Sequence, residues 1–234
     1  MKKIDVCLSP ELIHLYDLEG RIVVIVDILR ASSTMVTALA NGVQSIRPFA
    51  SIEACKGMRR SGYIIAGERG GQKVEDFDLG NSPMNYLKEE YLGENLALTT
   101  TNGTLAIEKS REAEEIVIGS FLNIDAVADY LKKKKNNVLI FCAGWKGKVN
   151  LEDTLFAGAL ANLLLEDFES ECDAPMVAIA IHRESKGDLY NYLKDSSHVK
   201  RLKGLGIEED IKFCLTSNQY SIVPVLVGED IIIN

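Results

Sequence analysis

Asp27, Arg30, Ser32, Ser33 and Thr34 lie within one eight-residue stretch, between an apolar run, Ile22 to Val26, and an apolar-periodic segment, Met35 to Ala40, closed by Asn41-Gly42. The run reads as a buried parallel strand and the segment as a helix. A carboxylate, a guanidinium and three hydroxyls therefore gather where a strand ends and a helix begins, which is the ligand-binding edge of an open α/β sheet. The free N–H groups and positive dipole end of the helix suit a phosphate, and the carboxylate suits a divalent cation. The expected chemistry is binding of a phosphorylated small molecule with magnesium.

Three more strand-to-helix turns carry polar clusters: Gly67-Glu68-Arg69-Gly70-Gly71, Thr99 to Thr104, and Ala143 to Lys148, which leads into Asn150-Leu151-Glu152-Asp153. If their strands run parallel, all four turns share one edge and converge on one crevice. Each cluster also has a plainer reading. Asp27 would cap its own turn, Ser32 and Ser33 would be ordinary N-caps, and Glu68-Arg69 a surface ion pair of little worth. Asn102-Gly103 is a common tight turn, and Glu152 and Asp153 compensate a helix dipole. Against this, Gly67, Gly70 and Gly71 permit close approach of backbone to a ligand, and Thr100, Thr101 and Thr104 surround a turn that can form an anion nest. Lys146 and Lys148 oppose the dipole preference unless an anion sits between them. Trp145, the only tryptophan, is either a pocket wall or core. His198 is either a proton-transfer group or a surface histidine.

Several chemistries are excluded. Leu29 stands where an aspartyl-phosphatase motif needs its second acid, and Lys148 where a cysteine-phosphatase loop beginning at Cys142 needs arginine. Serine-hydrolase, nucleotide P-loop and dinucleotide fingerprints are missing, and His14, His182 and His198 have no zinc spacing. Several carboxylates beside basic and amide groups favour metal-assisted chemistry on a phosphate ester.

These turns need a framework of alternating strands and helices, and the pattern supplies one. Strands are predicted at Ile4–Leu8, Ile22–Asp27, Ser45–Phe49, Tyr63–Ala66, Leu96–Thr99, Ile116–Ile118, Val138–Cys142, Met176–Ile181 and Val223–Val227. Helices are predicted to begin near Ser33, Ser51, Ser82, Gly103, Ile124, Leu151, Asp188 and Ile207, with Asn123 capping the fifth and Asn81-Ser82-Pro83 opening the third. Leu151, Leu155, Phe156, Ala159, Leu160, Leu163 and Leu164 form a core stripe. The 234 residues fit one α/β domain, 1–234, with 1–120 and 121–234 as a looser division into subdomains. A net charge of −8 argues against nucleic acid or an anionic membrane as partner. Five cysteines without CxxC spacing, no signal peptide and no membrane-length apolar run point to a soluble cytoplasmic protein. A homodimer is expected from base rates alone.

Together the stretches Val26 to Thr34, Gly67 to Gly71, Phe77 to Pro83, Thr100 to Thr104 and Cys142-Ala143-Gly144 resemble the signatures of the 2-phosphosulfolactate phosphatase family. Glu152-Asp153, Ser197-His198 through Leu205-Gly206, Asp210 and Val223-Pro224 extend the likeness over nearly the whole chain. One departure is Asp76, where the family pattern leads one to expect a small residue, often glycine. The resemblance implies a three-layer α/β/α fold with a mostly parallel or mixed sheet. It further implies magnesium-dependent release of phosphate from 2-phospho-3-sulfolactate, a step towards coenzyme M in methanogens. Metal ligation would then fall to Asp27, Glu68 and Asp153, and catalysis to Asp27, Arg30 and Glu68. Substrate binding would fall to Arg30, Ser32, Ser33, Arg69, Asn81, Ser82, Thr101, Asn102, Gly103, Thr104, Lys146 and Lys148. Two alternatives stay open: a broader phosphatase of 2-phospho-hydroxycarboxylic acids, and a non-catalytic protein that binds an anionic metabolite.

Overall fold

A computed structural model describes every residue except Glu171 and Lys186. Its strands are β1 (Lys2–Cys7), β2 (Arg21–Val26), β3 (Ser45–Phe49), β4 (Ile64–Arg69), β5 (Gln72–Lys73), β6 (Asn95–Thr99), β7 (Glu115–Gly119), β8 (Asn137–Cys142), β9 (Phe168–Glu169), β10 (Pro224–Val227) and β11 (Asp230–Ile233). Its helices are α1 (Ala31–Ala40), α2 (Ile52–Gly57), α3 (Gly103–Lys109), α4 (Ile124–Lys133), α5 (Leu151–Leu163), α6 (Ala174–Glu184), α7 (Leu189–Leu193), α8 (Ser197–Lys203) and α9 (Glu208–Cys214).

Among the described residues the strands form one mixed, mostly parallel sheet of order β5-β4-β6-β3-β11-β10-β7-β2-β8-β1-β9. Two parallel blocks make it up, β4-β6-β3 and β7-β2-β8-β1-β9, and the antiparallel β10–β11 hairpin lies between them. Strands from either side of residue 120 pair directly, β1 and β2 with β8. The central strands β2 and β8 are buried on both faces, as continuous Val/Ile/Leu runs require.

The three antiparallel steps through the hairpin set the two blocks running in opposite senses. In a flat sheet their C-terminal ends would lie on opposite edges. The sheet instead curls around α1. Val23 and Ile25 of β2, Leu139 and Phe141 of β8, Ile46 of β3 and Leu96 and Leu98 of β6 share one core with Ala31, Met35, Val36 and Leu39. Helix α1 is buried from Ala31 to Leu39, and its Ser33 and Thr37 hydroxyls are satisfied by backbone carbonyls, as enclosure on all sides requires. The other face of the β1-β8-β2-β7 block packs on α4, α5 and α6, and α2 covers β4 and β6 through Cys55, Ile65 and Ala97. Helices thus lie on both faces of the sheet.

Some local expectations need correction. Met176–Ile181 lies inside α6. Pro175 opens that helix, and Ala178 and Ile179 are buried while Met176 and Val177 are exposed, a helical rather than a two-residue period. The third predicted helix is a single 3₁₀ turn, Pro83–Tyr86. Asn123 does not cap α4: its amide donates to Ile118 O and Ile222 O, and Asn218 Oδ1 accepts the Asp125 N–H at 3.0 Å instead. Leu163, assigned to the core stripe, is exposed. The hairpin partner β11 was not anticipated.

Candidate active site

The turn after β2 is built by its own side chains. Ser32 Oγ accepts the Asp27 N–H at 3.1 Å and donates to Asp27 O at 2.8 Å, and Asp27 Oδ1 accepts the Ala31 N–H at 3.3 Å. Ser33 Oγ donates to Ile28 O at 2.9 Å and is fully buried. The hydroxyls expected to meet phosphate are therefore spent on the turn, so an anion at this helix start would meet backbone N–H groups. Arg30 is buried; its Nη1 pairs with Asp210 of α9 and its Nη2 donates to Gly71 O at 3.0 Å. Asp210 also accepts from Ser82 Oγ at 3.0 Å, which ties the Pro83 turn and α9 to Arg30.

Glu68 ends β4 with both oxygens held by backbone: Oε1 accepts the Thr101 N–H at 2.6 Å and Oε2 the Gly71 N–H at 2.7 Å. Arg69 turns away, its guanidinium donating to Glu68 O, Ala50 O and Thr99 Oγ1. In the turn after β6, Thr100 and Thr104 satisfy each other's N–H through their hydroxyls. Gly103 packs so closely on the β2–α1 turn that an added Cβ would stand 2.5 Å from Ala31 Cβ and 2.9 Å from Asp27 Oδ2. The two blocks meet at that contact. Asn102 Oδ1 reaches the β8 turn, accepting the Lys146 N–H at 3.3 Å.

Asp153 joins the ends of β2 and β8 to α5: Oδ1 accepts the Ile28 N–H at 2.9 Å and Oδ2 the Gly144 N–H at 3.0 Å. Glu152 is fully buried beside it, one oxygen on His198 Nδ1. Asn150 Nδ2 lies 3.2 Å from the same ring nitrogen. Trp145 walls the turn, its ring 5.6 Å from that of His198 and its face 3.8 Å from the Arg201 guanidinium. Lys146 and Lys148 are exposed at the rim.

Four buried carboxylates, Asp27, Glu68, Glu152 and Asp153, thus share one region. Burial, with the charges of Glu68 and Glu152, pushes Asp27 up to about 6 against the opposing pull of His198. Burial and the charges of Glu152 and Asp27 hold Asp153 well above the usual carboxylate range. Hard oxygen donors in mutual repulsion fit a divalent cation in chemistry. Among the described residues, however, no three His, Cys, Asp or Glu side chains converge on one point as metal ligands do. Beside Arg30 lies an open cavity of about 550 Å³ bordered by Gly71, Lys73, Asn81, Ser82 and Leu205, and a second of about 200 Å³ lies against Thr101, Asn102 and Lys146.

Seven buried side-chain polar atoms lack a partner among the described residues, and four of them border these turns: Asn81 Oδ1, Thr101 Oγ1, Glu152 Oε2 and Arg201 Nη2. Buried polar groups are ordinarily paired, so this concentration marks a place built to receive a ligand. Asp27, Arg30, Glu68, Asn81, Ser82, the Thr100–Thr104 turn and Asp153 are brought together there; Arg69 and the hydroxyls of Ser32 and Ser33 serve the scaffold. Sequence reasoning missed Arg201, named Asp210 only within the family likeness, and weighed Glu152 as dipole compensation or a metal ligand but not as the partner of His198. The signal for Arg201 was its spacing, three residues after His198 and so on the same face of α8.

The family model for 2-phosphosulpholactate phosphatase matches residues 7–229. A "Probable 2-phosphosulfolactate phosphatase" of Caldanaerobacter subterraneus subsp. tengcongensis is 43% identical over 216 residues, 90% of this chain and 89% of that protein. Proteins of the same name from Thermotoga petrophila and Synechocystis sp. are 43% and 37% identical, over 96% and 89% of this chain and 96% and 90% of their own. On these matches the chain belongs to the 2-phosphosulpholactate phosphatase family.

Proposed function

We propose that the protein hydrolyses the phosphate ester of 2-phosphosulfolactate, giving 3-sulfolactate and inorganic phosphate, and that it does so with magnesium. The observation that carries this reading is the set of unpartnered polar atoms around four buried carboxylates, at turns contributed by both sheet blocks. Since no three of the described acids converge on one point, Asp27, Glu68 and Asp153 would hold the cation partly through waters that magnesium retains, with Glu152 Oε2 as a further free donor. Bound there, magnesium supplies charge that neutralises the phosphoryl oxygens and permits a dianion among carboxylates. The N-terminus of α1 and Arg30, fixed by Asp210, face the phosphoryl side. Asn102, Gly103 and Lys146 suit the carboxylate or sulfonate end. Glu152 fixes the His198 ring through Nδ1, leaving Nε2 to pass a proton to the leaving 2-oxygen as water attacks phosphorus.

The test is phosphate release by the purified protein, with magnesium and with chelator, from 2-phosphosulfolactate, 2-phospholactate, 2-phosphoglycerate and a sugar phosphate. Magnesium-dependent release concentrated on the sulfonated ester supports the proposal. Equal release from 2-phospholactate widens the substrate class, and no release from any ester replaces catalysis with metabolite binding.

A further inference from the structure

Three guanidiniums stand at the acid-rich turns, and two already hold acceptors of the protein itself. Arg30 is divided between Asp210 and Gly71 O, and Arg69 between three acceptors in its own block. Arg201 of α8 differs. Its Nη2 is buried without an acceptor, and the guanidinium stacks on the Trp145 ring, its carbon 3.8 Å from the ring centre. Burying a charged N–H without an acceptor is costly unless something else supplies one. Stacking on tryptophan fixes the plane of the fork without using its donors.

The position of Arg201 says what the missing acceptor is. Trp145 packs against both the Arg201 guanidinium and the ring of His198, and His198 Nδ1 meets Glu152, so the guanidinium lies beside the acid-rich turns, within reach of the charges of Glu152 and Glu68. Yet among the described residues it forms no ion pair with either, and Glu152 Oε2 is itself unpartnered. A cation and an acid in one region, each with a buried atom left unpartnered, suit a ligand of opposite order: a cation against the carboxylates and an anion against the guanidinium. A phosphoryl group with its divalent cation has that order.

We propose that Arg201 is a catalytic residue that grips the oxygens of the transferring phosphoryl group, held for that task by Trp145. The proposal rests on the phosphatase reading above. Arg201 is a planar fork suited to two phosphoryl oxygens, and its hold tightens as charge spreads over them.

The test compares wild type with Arg201→Ala and Arg201→Lys in two measurements, after thermal melts establish that the variants fold. Calorimetric titration with inorganic phosphate in the presence of magnesium should show affinity at least about tenfold weaker in Arg201→Ala, while the fluorescence of Trp145, the sole tryptophan, responds to phosphate in wild type only. Turnover should fall about 10²–10³-fold in kcat for 2-phosphosulfolactate and 2-phospholactate alike, with Arg201→Lys recovering only a small part. Unchanged phosphate affinity, absence of phosphate binding in wild type, or a loss confined to KM of the sulfonated ester overturns the proposal. If wild type turns over no ester at all, the phosphatase reading fails, and the phosphate titration still decides Arg201.

Discussion

Asp27, with a carboxyl pushed to about 6 from an ordinary 3.8 and a neighbour in Asp153 raised further, makes folding take up protons in mildly acidic solution. The folded state holds these protons to higher pH than the unfolded chain does, so stability is greatest at low pH and is lost as pH rises through the folded value. The metal-free protein should therefore melt at progressively lower temperature as pH rises from about 3.8 to about 6, with Asp27 alone contributing on the order of 3 kcal/mol across that window. Differential scanning calorimetry with chelator measures this, and a flat profile would mean that the acids are relieved in some other way. Asp27→Asn should reduce the slope and keep the fold, yet lower phosphate release about 10³-fold through loss of a cation's charge stabilisation. A variant with near-normal turnover would remove Asp27 from the chemistry. Asp27, Glu68 and Asp153 were legible in the sequence because each sits just past or just inside a recognisable element. The inward turn of Ser32 and Ser33 was not, because capping and anion binding use the same residue types and only the hydrogen-bond partners separate them.

At the scale of elements, α5 and α6 pack backbone against backbone at Gly158. A Cβ on Gly158 would stand 2.0 Å from Ala178 O. Backbone on the far side cannot move as a side chain can, so Gly158→Ala should force the helices apart and cost about 3 kcal/mol in a urea unfolding curve. Asp76 presents the opposite case. It adopts a φ of +64°, in the left-handed region where glycine is at ease, which explains why the family pattern leads one to expect a small residue there. Asp76→Gly should raise stability by about 0.5–1 kcal/mol in the same assay and leave turnover unchanged, since the side chain's one ion pair, to Lys56, is exposed. Most elements could be read from apolar runs and breakers. The segment Met176 to Ile181 could not, because six apolar residues in a row carry no period; Pro175 was the only local hint of a helix, and contact with α5 settled the matter.

For the molecule as a whole, the hairpin is the keystone. It touches β7 through the Val225–Val117 pair and β3 through Ile231–Ile46, and Arg47 grips Asp230 with two hydrogen bonds of 2.8 and 2.6 Å. Ile231 is fully buried in the core that surrounds α1. Ile231→Ala should cost about 2–4 kcal/mol in thermal or urea unfolding and lower turnover as the blocks loosen; unchanged values in both would show that Gly103 against Asp27 holds the blocks unaided. No sequence signal announced this curl, because periodicity reports which face of a strand is buried and not which way its block runs. Strand order also sets a sequence in time. Residues 224–233 follow all the other described strands in chain order, so a chain that folds as it is made would hold β3 and β7 as open edges until the hairpin arrives, a form exposed to mispairing. Assembly of the acid-rich turns would thereby wait for the hairpin, so that their mutual repulsion is imposed only on a sheet whose edges are already closed.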